Sequence, residues 1–341
     1  MTTFVGVADM AAWTRERGPE RIIGEMARSM VGVFARWPSF DLVPRIASHT
    51  PIGVIELMPT SDGSHYAFKY VNGHPSNPAR GYQTVTAFGA LADVDNGYPV
   101  LLAEMTLLTA LRTAATSAMA SQQLARLDSR RMALIGAGSQ AEFQALGHRA
   151  SLGIDEVAVW DVDPAAMAKA ECNLRALGFD VRVATSAEDA VRGADVVTTC
   201  TADKAFATVL FDDWITPGMH INAIGGDCPG KTELEPAILG RGPVFVEHTP
   251  QSRIEGEIQH QGEDFPVTEL WRVVTGDATG RESQEQVTIF DSVGFAVEDF
   301  CALRYLNSTV RGSGHCIEID LVAEPEDPKD LFGLVGAPVP V

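Results

Sequence analysis

Apolar and polar positions recur with two different periods along this chain, and the change of period is the first guide to its architecture. Over residues 1–40, Ile22, Ile23, Met26, Met30, Val31 and Phe34 fall near helical spacing, which predicts helix. Over residues 41–100 the pattern shortens. β-rich runs at 53–58, 66–70, 85–92 and 99–103 alternate with the turn-like SDGS, NGHPSNP and VDNGYP, which predicts an antiparallel or mixed sheet. Residues 105–124 read as one long helix.

A different text begins near residue 130. Residues 132–135 form a short apolar run without helical period, which suits a buried parallel strand. It breaks into Gly136-Ala137-Gly138-Ser139-Gln140-Ala141, a G-x-G-x-x-A turn, followed by a helix-forming run over 142–150. A second apolar run, 157–161, ends in Asp161. The alternation continues with helices expected at 164–177 and 187–192 and strands at 180–184, 195–201 and 220–224. Later strands fall at 244–247 and 287–290, and a closing helix at 294–306. From Asn307 the tail is polar and proline-rich, and no internal repeat interrupts the chain.

The order strand, glycine turn, helix, strand, acid has a chemical reason. Gly136 permits the tight turn, Gly138 lets the backbone approach a pyrophosphate, and Ala141 is small enough for close helix–strand packing. The free N–H groups of the helix's first turn face the anion. Asp161 is placed to bind a ribose 2′-hydroxyl. A dinucleotide site is therefore expected, against the alternative of a purely structural turn.

Bulk properties narrow the field. At 341 residues the chain is expected to form two domains. Its 45% apolar and 21% charged content is ordinary for a soluble globular protein. With 45 acidic against 26 basic side chains the net charge is −19, which argues against nucleic-acid or anionic-membrane partners. No secretory signal is visible, and no run reaches the ~20 apolar residues that span a bilayer. The five scattered cysteines suit reduced thiols in the cytoplasm, and the dispersed histidines predict no metal site.

Three clusters carry candidate chemistry. Arg45, Lys69 and Arg112 are cations from separate elements. Arg112 lies among small residues in TALRTAATSA, where a long charge is otherwise unexplained. They either converge on a carboxylate or are three solvated surface charges, and spacing alone favours the second. Gly225-Gly226-Asp227-Cys228-Pro229-Gly230-Lys231 follows a strand, at the end of such sheets where ligands sit, or is an Asx-type turn. Asp291-Ser292-Val293-Gly294 offers N–H and hydroxyl donors, or merely caps a helix.

Taken together, IELMP (55–59), FKYVNG (68–73), LTALRTAATSA, GAGSQAEFQA, INAIGGDCPGKTEL and FDSVGFAVEDF resemble the ornithine cyclodeaminase branch of the ornithine cyclodeaminase/μ-crystallin family, over about residues 40–335. The resemblance implies an α/β homodimer. A Rossmann NAD-binding domain (116–306) stands beside an α+β substrate-binding and dimerisation domain built from 1–115 and 307–341. It implies that Arg45, Lys69 and Arg112 hold the substrate's α-carboxylate, that Asp227 is the acid/base group, and that Val293 touches substrate. Glu56 matches an acid near the distal amine. Thr84, Arg112, Gly136, Gly138, Ser139, Gln140, Asp161, Thr201, Ile224, Gly225, Gly226, Asp227, Lys231 and Ser292 match the NAD site. The implied reaction turns L-ornithine into L-proline and ammonia. It proceeds by oxidation at Cα, attack of the δ-amine on the resulting imine, loss of the α-nitrogen, and return of the hydride. A lysine cyclodeaminase, a cyclic-imine reductase or amino-acid dehydrogenase, and a non-enzymatic crystallin-like nucleotide binder are the alternatives on the same scaffold.

Overall fold

Strand order separates two sheets. The computed structural model describes residues 1–202 and 207–336, so the end of the expected second segment, 337–341, lies outside the described residues. The first sheet is built on β1 (Thr2–Val5), β2 (Ile46–Thr50), β3 (Gly53–Ser61), β4 (His65–Gly73), β5 (Val85–Asp93) and β6 (Pro99–Glu104). Strands β2 to β6 form an antiparallel meander, and β1 adds to β6 in parallel. Alternation sets the faces. Glu56 pairs with Val71 and Lys69 with Met58, so Glu56 and Lys69 share the inner face. Residues 55, 57, 70 and 88 point the other way.

The second sheet holds β7 (Arg131–Ile135), β8 (Glu156–Trp160), β9 (Asp180–Val183), β10 (Val196–Thr199), β11 (His220–Ala223), β12 (Val244–Val246), β13 (Thr268–Glu269) and β14 (Thr288–Asp291). All its pairings are parallel, in the order β13-β12-β14-β11-β10-β7-β8-β9. Chain direction reverses across the sheet between β7 and β10, the switch point where doubly wound sheets bind ligands. A late strand, β15 (Ile317–Ile319), returns to the first sheet and pairs antiparallel with β1.

Helices join and cover the sheets. After β1 come α1 (Val7–Arg17) and α2 (Pro19–Phe34), broken at Gly18 with φ +84. Next are α3 (Thr106–Leu124), α4 (Ala141–Leu152), α5 (Pro164–Ala176), α6 (Ala187–Val191), α7 (Thr249–Glu255), α8 (Leu270–Thr275) and α9 (Ala296–Val310). The small residues of α3 let α4 come close: a Cβ on Gly147 would stand 2.7 Å from the Ala114 carbonyl. α9 lies against β3, β4 and β5, and so brings Glu298 and Asp299 under the first sheet. The division expected at 115/116 and 306/307 falls inside α3 and α9, which both run through it.

The expected long elements are present within a few residues of their predicted ends. Each difference has a physical cause. β1 precedes the first helix where helix alone was expected, because pairing with β6 and β15 fixes it. β2 is exposed along its whole length, and β13 and β15 have two and three residues, so none carries a burial period. The last helix starts at Ala296, beyond Gly294 with φ +72.

Candidate active site

The glycine turn lies at the carboxyl end of β7. Gly136 has φ +105, and a Cβ there would stand 2.8 Å from the Cys200 carbonyl, so only glycine fits. Gly138 is exposed, with nothing within 4 Å of where its Cβ would be, which leaves the backbone open to a ligand. Asp161, directly after β8, accepts the Ala137 N–H at 2.6 Å on one oxygen and the Asp163 N–H at 2.8 Å on the other. Ser139 is exposed, and the Gln140 Oε1 is buried without a donor. An open turn at a helix start, a neighbouring carboxylate and an unused acceptor fit a dinucleotide.

The opposing residues stand at the ends of β10, β11 and β14. Here the glycines have a packing reason. A Cβ on Gly225 would fall 2.2 Å from the Glu233 carboxylate, and one on Gly226 would fall 3.1 Å from Glu257 Oε1. The missing side chains make room for buried acids. Glu233 accepts Thr201 N–H at 2.7 Å, Thr201 Oγ at 2.5 Å and Gly225 N–H at 3.0 Å. Glu257 accepts the N–H groups of Glu233 and Leu234, and Asp291 accepts those of Glu257 and Ile258. This brace runs under the loops. Burial pushes Asp291 up to about 7, and Glu257 and Glu233 upward as well.

The Asp291–Gly294 segment departs from expectation. Its donors turn inward. Ser292 N–H bonds to the Ala223 carbonyl at 2.9 Å, and the Ser292 hydroxyl donates to buried Glu247. Val293 and Gly294 N–H reach the same carboxylate at 3.2 and 3.3 Å. The segment is not the helix cap either, since Phe295 holds that position. Thr84, before β5, bonds through its carbonyl to His74 N–H at 2.8 Å, within the β4–β5 hairpin.

The three cations converge. Lys69 Nζ is fully buried and lies 2.8 Å from Asp299 Oδ2. Arg112 Nη1 lies 2.7 Å from Glu298 and its Nε 3.0 Å from Asp299, so one carboxylate joins Lys69 to Arg112. Arg45, with a side chain 7% exposed, reaches Glu56 at 3.4 Å and Glu255 at 3.2 Å. It also donates to the Asp227 carbonyl at 3.4 Å, the Gly294 carbonyl at 2.6 Å and the Val293 carbonyl. A Cβ on Gly294 would stand 2.8 Å from Arg112 Nη1, so Arg45 and Arg112 meet at this loop. The surface reading of these residues therefore fails on burial.

Electrostatics follow from that crowding. Burial pulls Lys69 down to about 8, although Asp299 opposes it. Burial also opposes charge on Arg112, yet Asp299 and Glu298 hold it above its ordinary value. Burial and Glu247 push Glu298 up to about 8. Asp227 is the exception to all this burial. Its side chain is 54% exposed, 3.2 Å from Lys231 Nζ, at the mouth. Such an arrangement can hold an anion at the cations and exchange protons through Asp227. Among the described residues no group of three or more His, Cys, Asp or Glu could hold a metal ion.

Six buried acids here lie outside the sequence expectations: Glu233, Glu247, Glu255, Glu257, Glu298 and Asp299. Glu298 and Asp299 had a signal, two adjacent acids inside the apolar run FAVEDFCAL. Acids are rarely fully buried unless paired, so a buried helix predicts cations facing them. Glu247 and Glu255 carry no comparable mark in the sequence.

The profile of the ornithine cyclodeaminase/mu-crystallin family matches residues 8–314. A protein named ornithine cyclodeaminase from Agrobacterium fabrum (strain C58) is 58% identical over 332 residues, 97% of this chain and 94% of that protein. A solved lysine cyclodeaminase, described in terms of recognition of L-lysine, L-ornithine and L-2,4-diaminobutyric acid, superposes with a TM-score of 0.90. It is 32% identical and covers 98% of this chain and 99% of its own. An archaeal alanine dehydrogenase dimer with bound NAD has a TM-score of 0.84 at 30% identity, covering 94% and 99%. On fold and sequence alike, the chain belongs to the ornithine cyclodeaminase/mu-crystallin family.

Proposed function

We propose that this chain is an enzyme that converts L-ornithine to L-proline and ammonia, with NAD⁺ recovered at the end of each cycle. The observation that carries this reading is the meeting of Arg45, Lys69 and Arg112 beside Asp227, at the sheet edge that also bears the glycine turn. The 58% identity to the A. fabrum protein supports ornithine as substrate.

In this reading the three cations bind the α-carboxylate, and Glu56 holds the δ-ammonium. Val293 packs against the substrate chain. Asp227 accepts a proton from the δ-ammonium and delivers one to the departing α-nitrogen. Bound NAD⁺ supplies reversible hydride acceptance. Gly136, Gly138, Ser139, Gln140, Asp161, Thr84, Thr201, Ile224 to Asp227, Lys231, Ser292 and Arg112 would hold it. Thr201 and Ser292 have their donors engaged elsewhere and would serve as shape and as acceptors. Holding the amine against the α-carbon makes ring closure intramolecular, which can carry a very large effective molarity.

The first sheet, with β15, is assigned to substrate binding and dimerisation, and residues 116–306 to the dinucleotide. Its outer face exposes Ile46, Ile55, Leu57 and Phe88, with Tyr70 and Phe88 stacked at 5.0 Å. Such a contiguous apolar face supports a homodimer. The five cysteines, none of them in a disulfide, support a cytoplasmic setting. No helix among the described residues is long and apolar enough to cross a membrane. The likeness to a lysine cyclodeaminase makes lysine the second reading, since one methylene is worth only ~1–3 kcal/mol. Incubation with L-ornithine or L-lysine and catalytic NAD⁺, with assay of proline, pipecolate and ammonia, tests both. Net NADH formation would instead mark an amino-acid dehydrogenase.

A further inference from the structure

Arg45 faces more negative charge than it can neutralise. Its Nη1 lies within 3.4 Å of both Glu56 Oε2 and Glu255 Oε2, and both carboxylates are buried. Asp227 adds to the field on the same guanidinium. Lys69 and Arg112 are committed to Asp299 and Glu298. Two buried carboxylates on one guanidinium nitrogen leave a negative charge without a partner. Such a charge takes up either a proton or a second cation. Burial, with Glu56 and Asp227 adding to it and Arg45 opposing, pushes Glu255 up to about 7. Glu255 is also held in place: it ends α7, and Gln251, one turn earlier, donates to its Oε2.

A second observation points to the ligand. Arg45 Nε is buried with no acceptor, so the same guanidinium keeps a donor for an anion. A ligand with an anion and a cation close together would satisfy both ends. Ring closure demands the same geometry, because the δ-nitrogen must bond to the carbon that carries the carboxylate. The ammonium seat must therefore adjoin the carboxylate seat, and Glu255 lies beside Arg45.

We infer that Glu255, together with Glu56, seats the distal ammonium of the diamino-acid substrate and sets the preference for a substrate that carries one. The inference rests on the reading of the chain as an ornithine-converting enzyme. Its measure is the advantage of L-ornithine over L-norvaline, which has the same carbon chain without the δ-amine. Both affinities are to be titrated on the NAD-loaded protein, wild type and Glu255→Gln. Loss of one charged hydrogen bond should lower the ornithine-to-norvaline ratio by about tenfold or more. Norvaline and NAD affinities should stay within about twofold, well below that loss. Glu255→Asp, which keeps the charge, should show a smaller drop and serves if the Gln variant does not fold. An unchanged ratio, or an equal loss for both ligands, overturns the assignment; equal loss would mean Glu255 acts on the carboxylate through Arg45. A wild type that does not prefer ornithine to norvaline overturns the ornithine reading itself, before any variant is made.

Discussion

Arg112 shows how a single residue can be misjudged from spacing and rescued by its surroundings. It lies in a helix of small side chains, with Nη1 2.7 Å from Glu298 and Nε 3.0 Å from Asp299, two acids delivered by α9. Removing it would leave both acids without their guanidinium and the substrate carboxylate without one of three cations. Arg112→Ala should therefore weaken ornithine binding by about 2–5 kcal/mol, and NAD binding by much less. Titration of the NAD-loaded variant checks this, and an unchanged KM and turnover would return Arg112 to a structural role. Asp227 makes the complementary case. It is the half-exposed acid beside the buried cluster, with its carboxylate 3.2 Å from Lys231 Nζ. Asp227→Asn should keep NAD affinity and lose roughly 10²–10⁴ of kcat, the usual worth of general acid–base catalysis. Near-normal turnover in that variant would remove Asp227 from the chemistry.

At the scale of elements, the turn between β7 and α4 and the acid after β8 decide the cofactor. The Asp161 carboxylate sits on the turn through Ala137 N–H. A 2′-phosphate would meet that charge and lose the ribose hydrogen bond, so NAD⁺ should bind more tightly than NADP⁺. Arg182 offers no compensation, because Asp189 holds it at 2.9 Å. Equal or tighter NADP⁺ affinity would contradict the assignment. This unit is legible in the sequence because its signals are local: Gly136 needs φ +105, and Asp161 ends an apolar run. Strands β3 to β6 of the meander are legible for the same reason, since alternation and turn residues bound each of them. What is not legible depends on long-range partners. β1 and β15 exist through each other, across more than three hundred residues. The purpose of Gly225 is hidden because Glu233, which fills its missing side chain, is buried only once the loop has folded. Ser292 reads as a free donor until Glu247 comes beneath it.

On the whole-molecule scale, a chain of net charge −19 keeps its cations where they converge and leaves one sheet face apolar. Phe88 is 46% exposed in the middle of that face, stacked on Tyr70. In the dimer proposed above, with this face as the contact, Phe88→Lys would place a charge in it and should shift the protein to monomer in sedimentation at micromolar concentration, with NAD binding retained. An unaltered dimer would place the interface elsewhere. The central claim is that one site performs oxidation, ring closure, deamination and reduction, with no second cofactor site. Ornithine labelled with heavy nitrogen only at Cα, given with substoichiometric NAD⁺, tests it most directly. The account predicts labelled ammonia, unlabelled proline and many turnovers per cofactor, whereas stoichiometric NADH or label retained in proline would contradict it.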